Sequence, residues 1–460
     1  MIDRENPYLG YWLDSDEKRL RYKGEKHLLC FGSPGSGKST SLVVPNLLTL
    51  CRSIIVIDPK GQLAAITARA RMKFGDVLIL DPFTLLSEIA PALNKIWHKK
   101  QFHWNPLAQL KPNSPDFNTD ARAIAQAVID RSGDSKSEFF EASMENMWAA
   151  RCMWEVRKKG VRASLRNVRE EFTQPSLLQS FKEMSECDNY AIRVAGGAAY
   201  ERLTDKSSQT TSLQDVIATI MKNTAFLDDN RLGGDMLDGD GIEFARLHEK
   251  ITTIYVVLPV SQLLDQAKWL RMFVNLAIRA FLRGAPRVAR LPRVLFMIDE
   301  FGNLGRLPEI MNVLNIARDL RLQMWFMLQN LAQLKEQNYP REWTHFFAGS
   351  GAVTTFSAED PETAEQFSKI LGKQETELTS VSSSTSFSQR KANATSGTST
   401  SLHVFNLMEP DDLMRLGANE TINWIKPGRF PFRGYAPGYW ELTRELFHPR
   451  DVDPNPYFHG

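Results

Sequence analysis

The octapeptide Gly32-Ser33-Pro34-Gly35-Ser36-Gly37-Lys38-Ser39 follows a short apolar run, His27 to Phe31, and precedes a stretch of helical periodicity that reaches Leu50. A G-x-x-x-x-G-K-S loop between a strand and a helix is the pattern of a phosphate-binding loop, and that order of elements confines the chain to an α/β architecture. Its glycines let successive backbone N–H groups point at phosphate oxygens, and the positive end of the following helix adds to the field. Gly32 to Gly37 with Lys38, Ser39 and Thr40 are therefore the candidate ligands of ATP, with Lys38 on the β- and γ-phosphates and the Ser39 hydroxyl on Mg²⁺.

The rest of the sequence extends the same architecture. Ser53 to Ile57 ends in Asp58-Pro59-Lys60-Gly61 and Val77 to Leu80 ends in Asp81-Pro82; both are short, nearly unbroken apolar runs, as expected of parallel strands covered on both faces. A crossover helix is expected over Gln62 to Met72. Further strands are expected at Ile251–Leu258, Val294–Ile298, Gln323–Leu328 and Ala352–Phe356. Between about Asp116 and Asn230 the spacing is helical, with its clearest helix near Glu138–Lys159, whose Phe139, Phe140, Met144, Met147, Trp148, Met153 and Trp154 supply one or two apolar faces. The expected organisation is a nucleotide-binding part over residues 1–115, an all-α domain over 116–245, and the rest of the nucleotide-binding domain over 246–460. Fourteen of the twenty-three residues from Thr379 to Ser401 are Ser or Thr, so 376–402 is expected to be a mobile loop.

Composition excludes several classes. The 460 residues carry 56 Lys and Arg against 54 Asp and Glu, so any nucleic-acid contact must be local, through clusters such as Lys99-Lys100 or Arg157-Lys158-Lys159 with Arg162. Four cysteines without C-x-x-C pairing are expected to be buried packing residues in a reducing compartment. The eight histidines lack metal-ligand spacing, so no catalytic metal beyond Mg²⁺ is implied. The longest strongly apolar stretch, Ile251 to Val260, is about half of what a bilayer-spanning helix needs, and a cytosolic, soluble chain is expected.

The strand Val294–Ile298 delivers Asp299-Glu300 at its carboxyl end, where open α/β sheets place their ligands. Asp299, directly or through water, is the expected second Mg²⁺ partner, and Glu300 is positioned to polarise an attacking water. Gln329 ends the next strand as a candidate for sensing the γ-phosphate or orienting water. Arg318, or Arg321 close by, is a candidate for stabilising transition-state charge in a neighbouring subunit. Asp58 and Lys60 stand at another strand end, where a structural turn and a ligand contact are equally open.

These residues resemble those of the type IV coupling proteins, the TraG/TraD-like ATPases of bacterial conjugation and type IV secretion. The resemblance rests on His27-Leu28-Leu29 before the phosphate loop, Val44-Pro45-Asn46-Leu47-Leu48 after it, Asp58-Pro59-Lys60-Gly61, Asn105-Pro106-Leu107, Asp299-Glu300-Phe301, and Gln329 with Gln333-Leu334. It implies a RecA-like motor domain interrupted by an all-α domain. It also implies a homo-hexameric ring at the cytoplasmic face of the bacterial inner membrane, which uses ATP to deliver relaxase-bound single-stranded DNA or effector proteins to a secretion channel. Other secretion-system ATPases and inner-membrane channel components are then partners, and Arg318 falls where the family's arginine finger lies. Such proteins usually carry an N-terminal membrane anchor of two helices, whereas Lys38 stands thirty-seven residues after Met1. A chain without the anchor is expected to be a monomer or weak oligomer in isolation. Two alternatives share these motifs: a duplex DNA translocase of the FtsK or HerA kind, and a nucleotide-regulated cargo receptor with little ATPase activity.

Overall fold

Every residue of His27–Phe31, Ile54–Asp58 and Val294–Ile298 is buried, as a parallel sheet covered on both faces demands. Alternate side chains enter two different cores: Leu29, Phe31, Ile55, Ile57, Phe296 and Ile298 pack on one side, Leu28, Cys30, Ile54, Val56, Leu295 and Met297 on the other. The protein is described here from a computed structural model covering residues 3–13, 19–130, 135–204, 211–237, 239–283, 293–307, 310–311, 313–314, 321–388, 391–426 and 430–457.

In chain order the strands are β1 (Tyr8–Trp12), β2 (Arg19–Arg21), β3 (His27–Phe31), β4 (Ile54–Asp58), β5 (Asp76–Leu80), β6 (Thr252–Val257), β7 (Val294–Ile298), β8 (Leu322–Leu328), β9 (Ser350–Thr355), β10 (Lys373–Ser388), β11 (Lys391–Asn406), β12 (Glu420–Ile425) and β13 (Phe432–Tyr435). Eleven of them form one sheet in the order β2-β1-β13-β12-β9-β3-β8-β7-β4-β6-β5. From β9 to β5 all neighbours are parallel, whereas β12, β13, β1 and β2 extend the other end antiparallel. The mainly parallel α/β sheet read from the sequence is thus present, with an antiparallel extension that the apolar pattern does not announce.

Between Phe117 and Leu237 the described residues contain helices and no strand. This helical segment shares one core with the sheet. Trp104, just before it, meets Trp269 and Phe273 edge to face at 5.6 and 5.2 Å, each such pair contributing about 0.5–1.5 kcal/mol beyond its area. Within the helix Ser135–Lys159, Met144, Met147, Trp148 and Met153 are buried, but Phe139 is 78% exposed and belongs to no packed face. The basic run after it is neutralised locally: Arg157 pairs with Asp188 at 2.7 Å, Lys158 with Glu183 at 3.1 Å and Lys159 with Glu155 at 2.8 Å.

Two expectations need correcting. The Ser/Thr-rich stretch is not an irregular loop, because β10 and β11 pair antiparallel from Lys373↔Asn406 to Ser388↔Lys391. Neither Ser nor β-branched Thr opposes an extended backbone, so a composition that reads as a loop is compatible with paired strands. Of the cysteines, Cys30, Cys152 and Cys187 are buried and Cys51 only partly so, all four with free thiols. No described helix is long and apolar enough to cross a membrane.

Arg71, wholly buried at the end of the helix Gln62–Arg71, joins four segments. Its Nε donates to Thr253 Oγ1 at 2.8 Å, its Nη1 to the carbonyls of Leu47 (3.2 Å) and Leu50, and its Nη2 to the Arg52 carbonyl at 2.7 Å. Replacing it by methionine leaves buried carbonyls without donors. We expect Arg71→Met to lower stability by about 3 kcal/mol, read from the first transition in urea; a loss under about 0.5 kcal/mol would contradict this account.

Candidate active site

The sheet brings β3, β8, β7 and β4 side by side, so the residues that follow their carboxyl ends must converge. After β3 the chain turns through the phosphate loop. Gly37 has φ 98°, which L side chains rarely adopt, and a Cβ on Gly32 would lie 2.5 Å from Ser36 Oγ, so both positions require glycine. The loop opens a helix wound in two ways: Lys38–Val43 as a wide π-type turn, then Val44–Thr49 as α-helix. Pro45 lacks the N–H that a regular turn needs, and the wider turn accommodates this by passing the Val44 N–H to the Ser39 carbonyl. Asn46 fixes the helix to β1, accepting from Tyr8 N–H at 2.7 Å and donating to the Tyr8 carbonyl at 2.8 Å.

Lys38 is buried and folds back over its loop, donating to the carbonyls of Gly32 and, at 3.0 Å, Ser33. Burial depresses its pKa. The Ser39 hydroxyl donates to the carboxylate of Asp299 at 3.2 Å, and Thr40 Oγ1 donates to the Gly37 carbonyl at 3.2 Å. Burial, reinforced by the neighbouring Glu300, pushes Asp299 up to about 6. A hydroxyl beside a carboxylate that burial disfavours as an anion is a hard-oxygen donor pair short of positive charge, so Ser39 and Asp299 fit Mg²⁺.

Glu300 leaves the end of β7 with φ 57°, in the left-handed region. Its carboxylate accepts from Gln329 Nε2 at 2.7 Å through one oxygen and pairs with Lys60 Nζ at 3.4 Å through the other. Gln329 is held in turn by Gln333, whose Oε1 accepts the Gln329 N–H at 2.9 Å. Lys38, Ser39, Asp299, Glu300 and Gln329, named separately from sequence, therefore stand at one sheet edge. Arg318 lies outside the described residues. Arg321 is at the opposite edge, since its carbonyl accepts from Val294 N–H at the start of β7, so it does not join this cluster.

Sequence reasoning left Asp58 and Lys60 undecided between turn and site. Asp58 is structural: it is fully buried and caps the helix Gln62–Arg71 by accepting from Ala64 N–H at 2.8 Å. Lys60 faces Glu300. Asn419 was missed, although its side chain approaches the loop so closely that a Cβ on Gly37 would sit 3.2 Å from its Oδ1. No spacing rule connects position 419 to position 37; only the pairing of β12 beside β9 does.

A phosphate loop opening a helix, a strand ending in two carboxylates and a glutamine on the next strand define a P-loop nucleotide-binding protein of the α/β class. The sequence model of the family described as Type IV secretory system Conjugative DNA transfer matches residues 2–444, and the chain belongs to that family. The conjugal transfer protein TraG of Escherichia coli is 23% identical over 386 residues, 79% of this chain and 58% of TraG. The type IV secretion system-coupling protein VirD4 of Bartonella henselae is 24% identical over 80% of this chain and 56% of VirD4. The chain thus spans less than two thirds of the length of these relatives. Among solved structures, the conjugative coupling protein TrwB lacking its N-terminal segment has TM-score 0.61 at 16% identity, covering 90% of this chain and 85% of that one. TrwB in complex with ADP and Mg²⁺ has TM-score 0.57 at 15% identity, covering 90% and 86%. The shared fold is that of TrwB.

Burial raises Asp58 to about 7, well above its unfolded value near 3.8. The folded state therefore favours the neutral acid, and this contribution to stability is full below about pH 4 and is lost as pH rises through 7. Asp58→Asn is expected to raise the thermal midpoint at pH 8 by on the order of a few degrees, and by less at pH 5. An equal shift at both pH values would refute the assignment.

Proposed function

We propose that this chain is an Mg²⁺-dependent ATPase that acts as a coupling protein, recruiting relaxase-bound single-stranded DNA or effector proteins to a type IV secretion channel. The observation that carries this reading is the convergence of Lys38, Ser39, Asp299, Glu300 and Gln329 on one sheet edge, within a chain of this family. TrwB, which shares the fold, binds a non-hydrolysable ATP analogue in one structure and ADP with Mg²⁺ in another.

In this reading the loop N–H groups and Lys38 bind the phosphates, and Lys38 exchanges its loop carbonyls for phosphate oxygens. Ser39 and Asp299 would hold Mg²⁺, which when bound neutralises phosphate charge. Glu300 accepts the proton of the attacking water as its oxygen bonds to the γ-phosphorus and the bond to the ADP oxygen breaks. Gln329 orients the Glu300 carboxylate. Arg318 of a neighbouring copy supplies positive charge to the transition state in a homo-hexamer at the cytoplasmic face of the inner membrane, whereas the isolated chain is a monomer or weak oligomer.

Lys38→Ala is expected to abolish ATP binding, while Glu300→Gln keeps binding and loses about 10²-fold or more in turnover, measured by phosphate release beside equilibrium nucleotide binding. Hydrolysis that survives both substitutions sinks the site. Mixing Lys38→Ala with Arg318→Ala chains tests the trans arginine. Recovery of turnover that neither variant shows alone is expected, because a mixed ring holds sites with intact Lys38 facing intact Arg318; no recovery in rings shown to be mixed argues against it.

A further inference from the structure

The ion pair between Lys60 and Glu300 connects the candidate active site to a segment beyond the family match. The match ends at residue 444, whereas the described chain continues to Tyr457 and lies along the helix Gln62–Arg71 that follows Lys60. Asp453 accepts from Arg69 Nε at 2.9 Å and its N–H donates to the Ile66 carbonyl at 3.1 Å. The Arg450 carbonyl accepts from Arg69 Nη2 at 2.8 Å, and Asp451 pairs with Lys73. At the far end of this strap the Tyr457 hydroxyl donates to the Lys60 carbonyl at 2.8 Å.

The strap therefore grips both ends of the element that presents Lys60, and Lys60 in turn holds one oxygen of Glu300 while Gln329 holds the other. Glu300 is 10% exposed and Lys60 48%, so the carboxylate is the enclosed partner and the ammonium reaches it from the solvent side. A carboxylate restrained through both oxygens cannot rotate freely, and a base acts only when its oxygen lies within hydrogen-bond reach of the proton it takes. The left-handed backbone of Glu300 fixes the root of the side chain in the same sense, with the Asn303 N–H donating to the Glu300 carbonyl at 3.0 Å.

We propose that Lys60 is a positioning residue for Glu300 and that the C-terminal strap, through Tyr457, holds Lys60 in place for that task. The inference rests on the ATPase reading above. It separates Lys60 from Lys38: Lys38 acts on the phosphates, Lys60 acts on the base.

The test uses the full chain with Lys60→Met, Lys60→Arg, Tyr457→Phe and, as a control for the reading itself, Lys38→Ala. Lys60→Met is expected to lower kcat about tenfold with KM for ATP unchanged within about twofold, Lys60→Arg to keep about half of the rate, and Tyr457→Phe to lower kcat about threefold. Hydrogen exchange of the nucleotide-free chain supplies a readout independent of turnover: Lys60→Met should speed exchange at residues 299–303, and Tyr457→Phe at residues 58–64. Wild-type kcat in Lys60→Met overturns the proposal, as does a raised KM with unchanged kcat, which would make Lys60 a phosphate ligand. Unchanged exchange in Tyr457→Phe with wild-type kcat removes the strap from the proposal. Failure of the ATPase reading shows differently, as a wild-type chain that binds ATP with Mg²⁺ and releases no phosphate under any condition, and that result overturns both.

Discussion

Hydrogen-bonded register between four neighbouring parallel strands sets everything at the functional edge. Leu28 faces Trp325 in β3 and β8, Phe296 faces Met324 in β7 and β8, and Ile55 faces Phe296 in β4 and β7. Because the side-chain repeat of a strand is two, a slip of one residue in any of these pairs would carry Asp299 or Gln329 to the wrong face. The two apolar cores resist such a slip by burying alternate side chains on opposite sides of the sheet. Packing far from the chemistry thus holds Ser39 within 3.2 Å of Asp299.

The charge arrangement at that edge is deliberately unfavourable by itself. Burial pushes Asp299 up and Lys38 down, so both groups are poorer ions in the nucleotide-free chain than in water. In the ATPase reading proposed above, phosphates beside Lys38 and a divalent cation beside Asp299 would offset these two penalties. Glu300 differs, being already anchored by Lys60 and Gln329.

Much of this was legible in the amino-acid sequence. All seven parallel strands were anticipated, because a strand buried on both faces is mostly apolar along its length, as Ile54–Asp58 and Leu322–Leu328 are. The antiparallel end was not, since Tyr8–Trp12, Glu420–Ile425 and Phe432–Tyr435 mix aromatic, charged and glycine residues on half-exposed faces that give no clear period. The β10 and β11 ribbon escaped for a related reason: its pairing is between backbones, and its composition reads only as poor in apolar residues. In the site, motif residues could be read because each carries its chemistry in a local pattern. The contacts of Asn46 with Tyr8, Asn419 with the phosphate loop and Tyr457 with Lys60 join segments tens to hundreds of residues apart, and local patterns do not encode such distances.

The strand order also governs how the molecule is made. None of β3, β4 and β5, the parallel strands of the first 115 residues, neighbours another of the three: β3 lies between β8 and β9, β4 between β7 and β6, and β5 beside β6. A chain emerging from the ribosome thus carries its phosphate loop for more than 250 residues before the strands that flank β3 exist, with apolar runs that have no sheet partner to bury them. Cutting the chain at the helical segment would leave an N-terminal piece that keeps the antiparallel β1–β2 pair but in which none of the three parallel strands has its sheet neighbours.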